Sequence, residues 1–387
     1  MTIMKILNGI IVLYGDLRSL LRREIDFYKV NPKTSTLFLT YRCNSKCKTC
    51  SMWQRPQDVE IRNEIGLNEW KSIVGKLADA GIESTEIFGG NVLLRKDLLI
   101  PLLRYLHEKG IAVHLPTNQI GLDDDVAEAI VKYVNAVYIS TDGLGDQQDN
   151  IRGIDGASGL SEDSIAKLQR FRTNIRLNGN KLRMVCNCTV SKYNIDEMHG
   201  IVQYAINKGF DEVHFEYAGE FEKSDVERSK IMGVIPEPHY IRQDASILAD
   251  EEGARKIKNN IKDIKNKFKN ADLLINTINI DMLSIENLYL GTIPHKKCYV
   301  ERNEVTIDPY GNLVACPFIN NYTMGNLLES AFEKIWNNGK HKSLRNIQNS
   351  GGLPMCGHCI LGVQRNPRIM NSLRRIYLKR IKPFLSQ

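Results

Sequence analysis

No stretch of this 387-residue chain reaches the ~18 consecutive apolar residues that a membrane-spanning helix needs. The sequence therefore does not read as an integral helical membrane protein. A secretory signal is missing too: the N-terminal apolar stretch is interrupted by Asn8, Gly9, Gly15 and Asp16, and no small-residue cleavage site follows. Internal repeats and low-complexity segments are absent, which argues against solenoid and fibrous architectures. Residues 363–387 contain no Asp or Glu, only the cations Arg365, Arg368, Arg374, Arg375, Lys379, Arg380 and Lys382. These cations equal the +7 net charge of the whole chain, so the rest is neutral. A neutral body with a basic tail is not the profile of a protein that binds nucleic acid across its surface.

What is present fits an ordinary globular protein, 42% hydrophobic and 25% charged. It is long enough for one large α/β domain with appendages or for two domains. The informative residues are its nine cysteines. Tight spacings in a non-secreted chain point to metal ahead of disulfides. Cys43, Cys47 and Cys50 form C-x3-C-x2-C in polar, loop-like sequence. Three thiolates can hold a small iron–sulfur cluster with one iron left open to a ligand, whereas structural zinc wants four closed ligands. Cys356 and Cys359 form C-x2-C, with Cys298 and Cys316 upstream. That quartet suits a fully ligated second cluster or a structural zinc, and spacing alone does not separate the two. Cys186 and Cys188 lie on one face of a β-like run and read as buried free thiols.

Along the chain, strands alternate with helices. Strands are expected at 36–40, 84–88, 112–115, 136–140, 181–190 and 212–217. Helices are expected at 70–80, 98–109, 124–134, 161–172 and 196–208. Such alternation implies βαβ units and a parallel sheet, with ligands at the carboxyl ends of the strands. Gly89-Gly90, Thr117-Asn118 and Thr141-Asp142-Gly143 all fall at those ends. Residues 223–287 read as a charged helical connector or lid, and 305–315 as a β-hairpin turning at Pro309–Asn312. The resulting organisation is an N-terminal amphipathic segment (1–33), a barrel core (34–222), the connector (223–287), a cysteine-bearing extension (288–362) and the basic tail (363–387).

The Cys43, Cys47, Cys50 triplet after a first strand resembles the radical S-adenosylmethionine (radical SAM) superfamily. The segment from Cys298 to Cys359, with Ile307-Asp-Pro-Tyr-Gly-Asn-Leu-Val-Ala-Cys316, Gly325-Asn326-Leu327 and Ile335-Trp336, is similar to its SPASM/twitch extension. The resemblance implies a partial (β/α)6 barrel with a small α+β extension. It implies a SAM-binding [4Fe-4S] cluster on Cys43, Cys47 and Cys50, and a second, auxiliary [4Fe-4S] cluster on Cys298, Cys316, Cys356 and Cys359. It also implies SAM contacts from Gly89, Gly90, Asn91, Thr117, Asn118, Ser140, Arg152 and Asn187. Two positions depart from the family pattern. Asn91 stands where a Glu is usual, so an amide oxygen would meet the SAM ammonium, with Glu86 a compensating acid. Thr49 replaces a frequent aromatic, leaving Met52 and Trp53 as candidates to pack adenine.

By that resemblance the chain is an enzyme, an oxidoreductase, that cleaves SAM to a 5′-deoxyadenosyl radical and abstracts hydrogen from substrate. The leading expectation is oxidation of a hydroxylated small molecule, such as a sugar, cyclitol or lipid-linked sugar, with the auxiliary cluster accepting an electron. Asp142 and Glu216 are the catalytic candidates, with Arg152, Asn187 and His214 as further positional guesses. The alternative is a maturase that cross-links or epimerises a ribosomal peptide. Only 42 residues precede Cys43, too few for the leader-binding domain such enzymes commonly carry. A third reading is a zinc-stabilised, non-enzymatic binding protein. Flavodoxin or ferredoxin is the expected electron donor and the cytoplasm the expected compartment. Apolar residues at helical spacing near both termini, flanked by Arg and Lys, allow peripheral contact with the inner membrane face or packing on the body.

Overall fold

The computed structural model describes residues 32–174, 182–238, 241–242, 245–293, 298 and 300–361. The amphipathic N-terminal segment and the basic tail lie outside these residues. One sheet organises what is described. Its strands are β1 (Thr34–Thr40), β2 (Ser84–Gly89), β3 (Ala112–Thr117), β4 (Ala136–Ser140), β5 (Arg183–Val190), β6 (Glu212–Tyr217), β7 (Leu274–Asn276), β8 (Glu304–Ile307), β9 (Asn312–Cys316) and β10 (Ile319–Asn326). They stand in the order β10-β9-β8-β1-β2-β3-β4-β5-β6-β7. Neighbours from β8 through β1 to β7 are parallel, and β8-β9 and β9-β10 are antiparallel. The barrel is therefore open, with β7 and β10 as its edges.

Two features differ from the sequence reading. The connector is not merely a helical lid, because its Leu274–Asn276 pairs with β6 and adds a seventh parallel strand. The C-terminal extension, expected as a segment of its own (288–362), adds its strands to the same sheet. Its hairpin turns at 308–311, one residue ahead of the expected Pro309–Asn312, and docks β8 alongside β1, with Thr34 opposite Glu304 and Leu37 opposite Ile307. A Thr36 hydroxyl bond to the Glu304 carboxylate, at 2.8 Å, fixes the same seam.

Alternation along the strands separates core from cavity. Leu37 and Leu39 of β1, Ile87 of β2, Cys186 and Cys188 of β5, and Val213 and Phe215 of β6 join the apolar core under the helices. The side chains between them (Thr36, Phe38, Glu86, Asn187, His214, Glu216) face a central cavity. Cys186 and Cys188 are fully buried free thiols, and burial pushes the Cys186 thiol up to about 12. The helices follow their apolar stripes. Leu67–Asp79 buries Trp70, Ile73, Val74 and Leu77, the i, i+3, i+4, i+7 set of one face. Each such side chain stabilises the fold by roughly 1.5–3 kcal/mol. The Asp123 carboxylate caps the helix Asp124–Tyr133 by accepting from Val126 N at 3.0 Å.

Candidate functional site

β1 ends at Thr40 and the chain turns at once into the cysteine loop. A buried carboxylate holds that turn. Glu64 accepts two hydrogen bonds from Arg42, at 3.0 and 2.8 Å, one from Arg95 at 3.0 Å, and another from the Thr40 hydroxyl. Gln57 accepts from the Cys43 N–H at 3.0 Å. On the other side β2 presses its glycines against the loop. Gly90 N donates to Thr40 O and Asn91 N to Arg42 O. A Cβ on Gly89 would overlap the Thr40 carbonyl oxygen, and one on Gly90 the Arg42 carbonyl oxygen. Gly89 also adopts φ +151, open to glycine and strained for other residues.

The loop's sulfurs line a cavity of about 1190 Å³ at the carboxyl ends of the strands. Each accepts a hydrogen bond: Cys43 from Ser45 N at 3.4 Å, Cys47 from the Arg152 guanidinium at 3.8 Å, and Cys50 from Met52 N at 3.4 Å. Burial raises the Cys43 thiol above its ordinary value. Among the described residues, no three His, Cys, Asp or Glu side chains converge as a site for one metal ion. Zinc would need its ligands within about 2.3 Å of a single point, whereas a cluster spreads its thiolates over several irons. Three partly buried thiols with N–H donors aimed at their sulfurs, beside an open cavity, fit a cluster with one free coordination position.

The quartet is built differently. Cys298, Cys316, Cys356 and Cys359 line a separate cavity of about 30 Å³ among Val300, Ile319, Leu344 and Met355. Burial pushes the Cys316 thiol well up, and the adjoining sulfurs of Cys359, Cys356 and Cys298 push it further. Four such thiols ionise together only against compensating cations, as a metal cluster supplies. Gln348 donates to the Cys356 sulfur at 3.7 Å. Phe318 and Leu361 border both cavities.

The expected site residues divide. Gly89, Gly90, Thr117, Asn118, Ser140, Arg152, Asn187, His214 and Glu216 all line the large cavity. Asn118 donates to the Ser45 hydroxyl at 2.8 Å. Asn187 and His214 are joined at 3.0 Å, and Glu216 accepts from Asn279 at 3.4 Å.

Asn91 and Asp142 are not among the lining residues. Asn91 is buried inside the loop packing. Its amide oxygen accepts from Leu93 N at 3.1 Å, and its amide nitrogen donates to Asn44 and Ile120 O. It braces the loop after β2 instead of presenting an oxygen to a SAM ammonium. Asp142 is buried at the end of β4, paired with Arg152 at 2.9 Å and accepting from Thr189 N at 2.8 Å. Burial raises its pKa, against which Arg152 and the Thr189 N–H act. A carboxylate so enclosed is not placed to take a proton from a cavity-bound substrate.

Met52 and Trp53 do not reach the cavity either. Met52 packs with Phe38 and Tyr41, and the Trp53 indole N–H donates to Cys50 O at 2.7 Å. Phe38 and Phe88, whose rings meet edge-on at 5.2 Å, are among the aromatic side chains that do line it. The sequence reading passed over both, although alternation along β1 and β2 marks them as inward-facing.

Comparison with known proteins agrees with this geometry. Residues 37–215 match the radical SAM superfamily, and residues 298–360 match the iron-sulfur cluster-binding domain SPASM. The chain is similar to the Fe-coproporphyrin III synthase of Methanosarcina barkeri, 32% identical over 37% of this chain and 36% of that one. It thus spans about a third of that relative. It is also similar to the PqqA peptide cyclase of Xanthomonas campestris pv. campestris, 23% identical over 80% of this chain and 74% of the relative. In fold it resembles Streptococcus suis SuiB bound to S-adenosylmethionine, with a TM-score of 0.60 and 17% identity. That match covers 89% of this chain and 78% of the other. Among the described residues no helix is long and apolar enough to cross a membrane.

Proposed function

Because this chain belongs to the radical SAM superfamily and ends in a SPASM cluster-binding domain, we propose that it modifies a peptide, forming a cross-link or epimer. The observation that carries this reading is the extent of its likeness to PqqA peptide cyclase, which covers 80% of this chain and 74% of that relative. Oxidation of a sugar or cyclitol, the leading expectation from sequence, is not what the names of the relatives reported above point to.

In this reading Cys43, Cys47 and Cys50 hold the SAM-binding [4Fe-4S] cluster. Cys298, Cys316, Cys356 and Cys359 hold the auxiliary one. S-adenosylmethionine at the first cluster supplies, on reduction, a 5′-deoxyadenosyl radical able to take hydrogen from an unactivated carbon. The protein's part is to bind, orient and exclude water. Gly89 and Gly90, which let the chain pack on the cysteine loop, would border the cofactor. Thr117, Asn118, Ser140 and Asn187 would offer it hydrogen bonds. Phe38 and Phe88 would supply apolar walls. Glu216, and His214 held by Asn187, are the polar groups a substrate would meet deeper in the cavity. A cavity of about 1190 Å³ exceeds the ~300–1,000 Å³ usual for small ligands, which leaves room for cofactor and a peptide segment together. A one-electron donor such as flavodoxin or ferredoxin completes the system.

The test is to reconstitute the protein without oxygen and supply SAM and a low-potential reductant. Short peptides encoded beside its gene are then added, and 5′-deoxyadenosine and peptide mass are followed. Peptide-dependent 5′-deoxyadenosine with a modified peptide is expected. Turnover stimulated by a cyclitol or sugar and by no peptide would overturn the reading.

A further inference from the structure

Two backbone amides and one charged side chain donate to the triplet sulfurs among the described residues. From this asymmetry we propose that the Asp142–Arg152 pair sets the reduction potential of the cluster held by the triplet. The Arg152 guanidinium acts on the Cys47 sulfur, and Asp142 limits the positive charge the cluster feels. The proposal rests on the reading that Cys43, Cys47 and Cys50 hold that cluster.

The geometry is over-determined. The helix Asp146–Arg152 grips the loop on both sides of Cys47: Lys46 N donates to Arg152 O at 3.1 Å, and Lys48 N to Ile151 O at 2.9 Å. Gly153 follows at φ +63, and a side chain there would overlap the Lys46 carbonyl oxygen. The helix is tied to the end of β4 by Gln148. That side chain accepts from Asp142 N at 2.8 Å and Gly143 N at 3.2 Å, and donates to Ser140 O at 3.0 Å. Within this frame Arg152 spans from Asp142 to Cys47. Its Nε is buried with no acceptor among the described residues.

A cation beside a cluster, and an N–H bonded to a ligating sulfur, both favour the reduced, more negative state. Arg152 therefore raises the potential, and Asp142, by partly neutralising it, lowers the potential again. Two residues packed against each other should then have opposite effects, which purely structural roles would not produce.

The experiment is a redox titration of the full-length reconstituted protein, following by electron paramagnetic resonance the signal that SAM addition alters. Arg152→Met should move the potential down by about tenfold in the oxidised-to-reduced ratio, ~59 mV for a one-electron couple. Asp142→Asn should move it up. Arg152→Lys, keeping the charge without the planar fork, should fall between wild type and Arg152→Met. If Arg152→Met does not fold, Arg152→Gln removes the charge while keeping an N–H, and should also move the potential down. Unchanged potentials, or shifts of the same sign in both residues at full iron content, would overturn the proposal. If Cys47→Ala leaves both the iron per chain and the SAM-sensitive signal intact, the reading of the triplet fails, and the proposal with it.

Discussion

The two cysteine sites are made of the same side chain and share a wall, yet they are built for opposite ends. The triplet sits on a half-buried loop, bordered by a large cavity with many polar side chains and by glycines that let β2 pack on it. The quartet closes on a cavity of about 30 Å³ among aliphatic side chains. One site borders space for a reacting molecule, and the other leaves almost none. Openness in metal sites is thus decided less by the ligands than by what the neighbouring chain leaves unfilled.

The sharpest way to break this contrast is to empty each site in turn. Replacing Cys43, Cys47 and Cys50 by Ala should lower iron from about eight to about four per chain and abolish reductive cleavage of SAM. Replacing Cys356 and Cys359 by Ala should remove as much iron but leave SAM cleavage in place. Loss of SAM cleavage in both variants would show that the sites do not divide the work as drawn. About four irons unchanged by the second substitution, with zinc bound, would make the quartet structural.

A subtler test strikes the open site through its packing. Gly90→Ala places a methyl group on the Arg42 carbonyl and against the Cys43 Cβ. The loop must shift, at a cost of about 2–3 kcal/mol. Iron at the triplet should fall while the quartet stays loaded, read as iron per chain together with melting temperature. Equal loss at both sites would mean that the loop and the extension fold as one unit.

The smallest effect lies between the sites, at the hairpin turn. Asp308 accepts from Tyr310 N at 2.9 Å and Asn312 N at 2.8 Å, and burial pushes its carboxyl up to about 6. The ordinary value is ~3.9. The folded state therefore binds this proton more tightly than the unfolded one. The associated stability is complete below about pH 4 and is lost as pH rises through about 6. Thermal melts should show wild type losing about 3 kcal/mol relative to Asp308→Asn across that window, with a constant difference at higher pH. A difference independent of pH would mean the carboxyl titrates normally.

The sequence discloses those parts of the molecule whose cause is local. The six barrel strands are legible because helix and strand periods alternate between glycine stops. The cysteine sets are legible because spacing is chemistry. β7 is not, because three residues carry no period: Leu274–Asn276 is a strand only since β6 offers it an edge. The packing of Asn91 is hidden for a related reason. Its position matches a cofactor contact by motif, but the burial that turns it onto Leu93, Asn44 and Ile120 depends on segments about thirty and forty-seven residues away. Asp142 looks available in a loop-like stretch, and only the fold reveals Arg152 and Thr189 around it.

The seam between β1 and β8 has a consequence in time. Thr36 and Glu304, bonded across it, are separated by 268 positions in the chain. At roughly 5–20 residues per second, synthesis takes on the order of ten seconds to a minute to travel from one to the other. The triplet thus emerges long before the strand that flanks its own leader strand exists. For that interval its thiols are held by a half-built sheet, open to oxygen and stray metal.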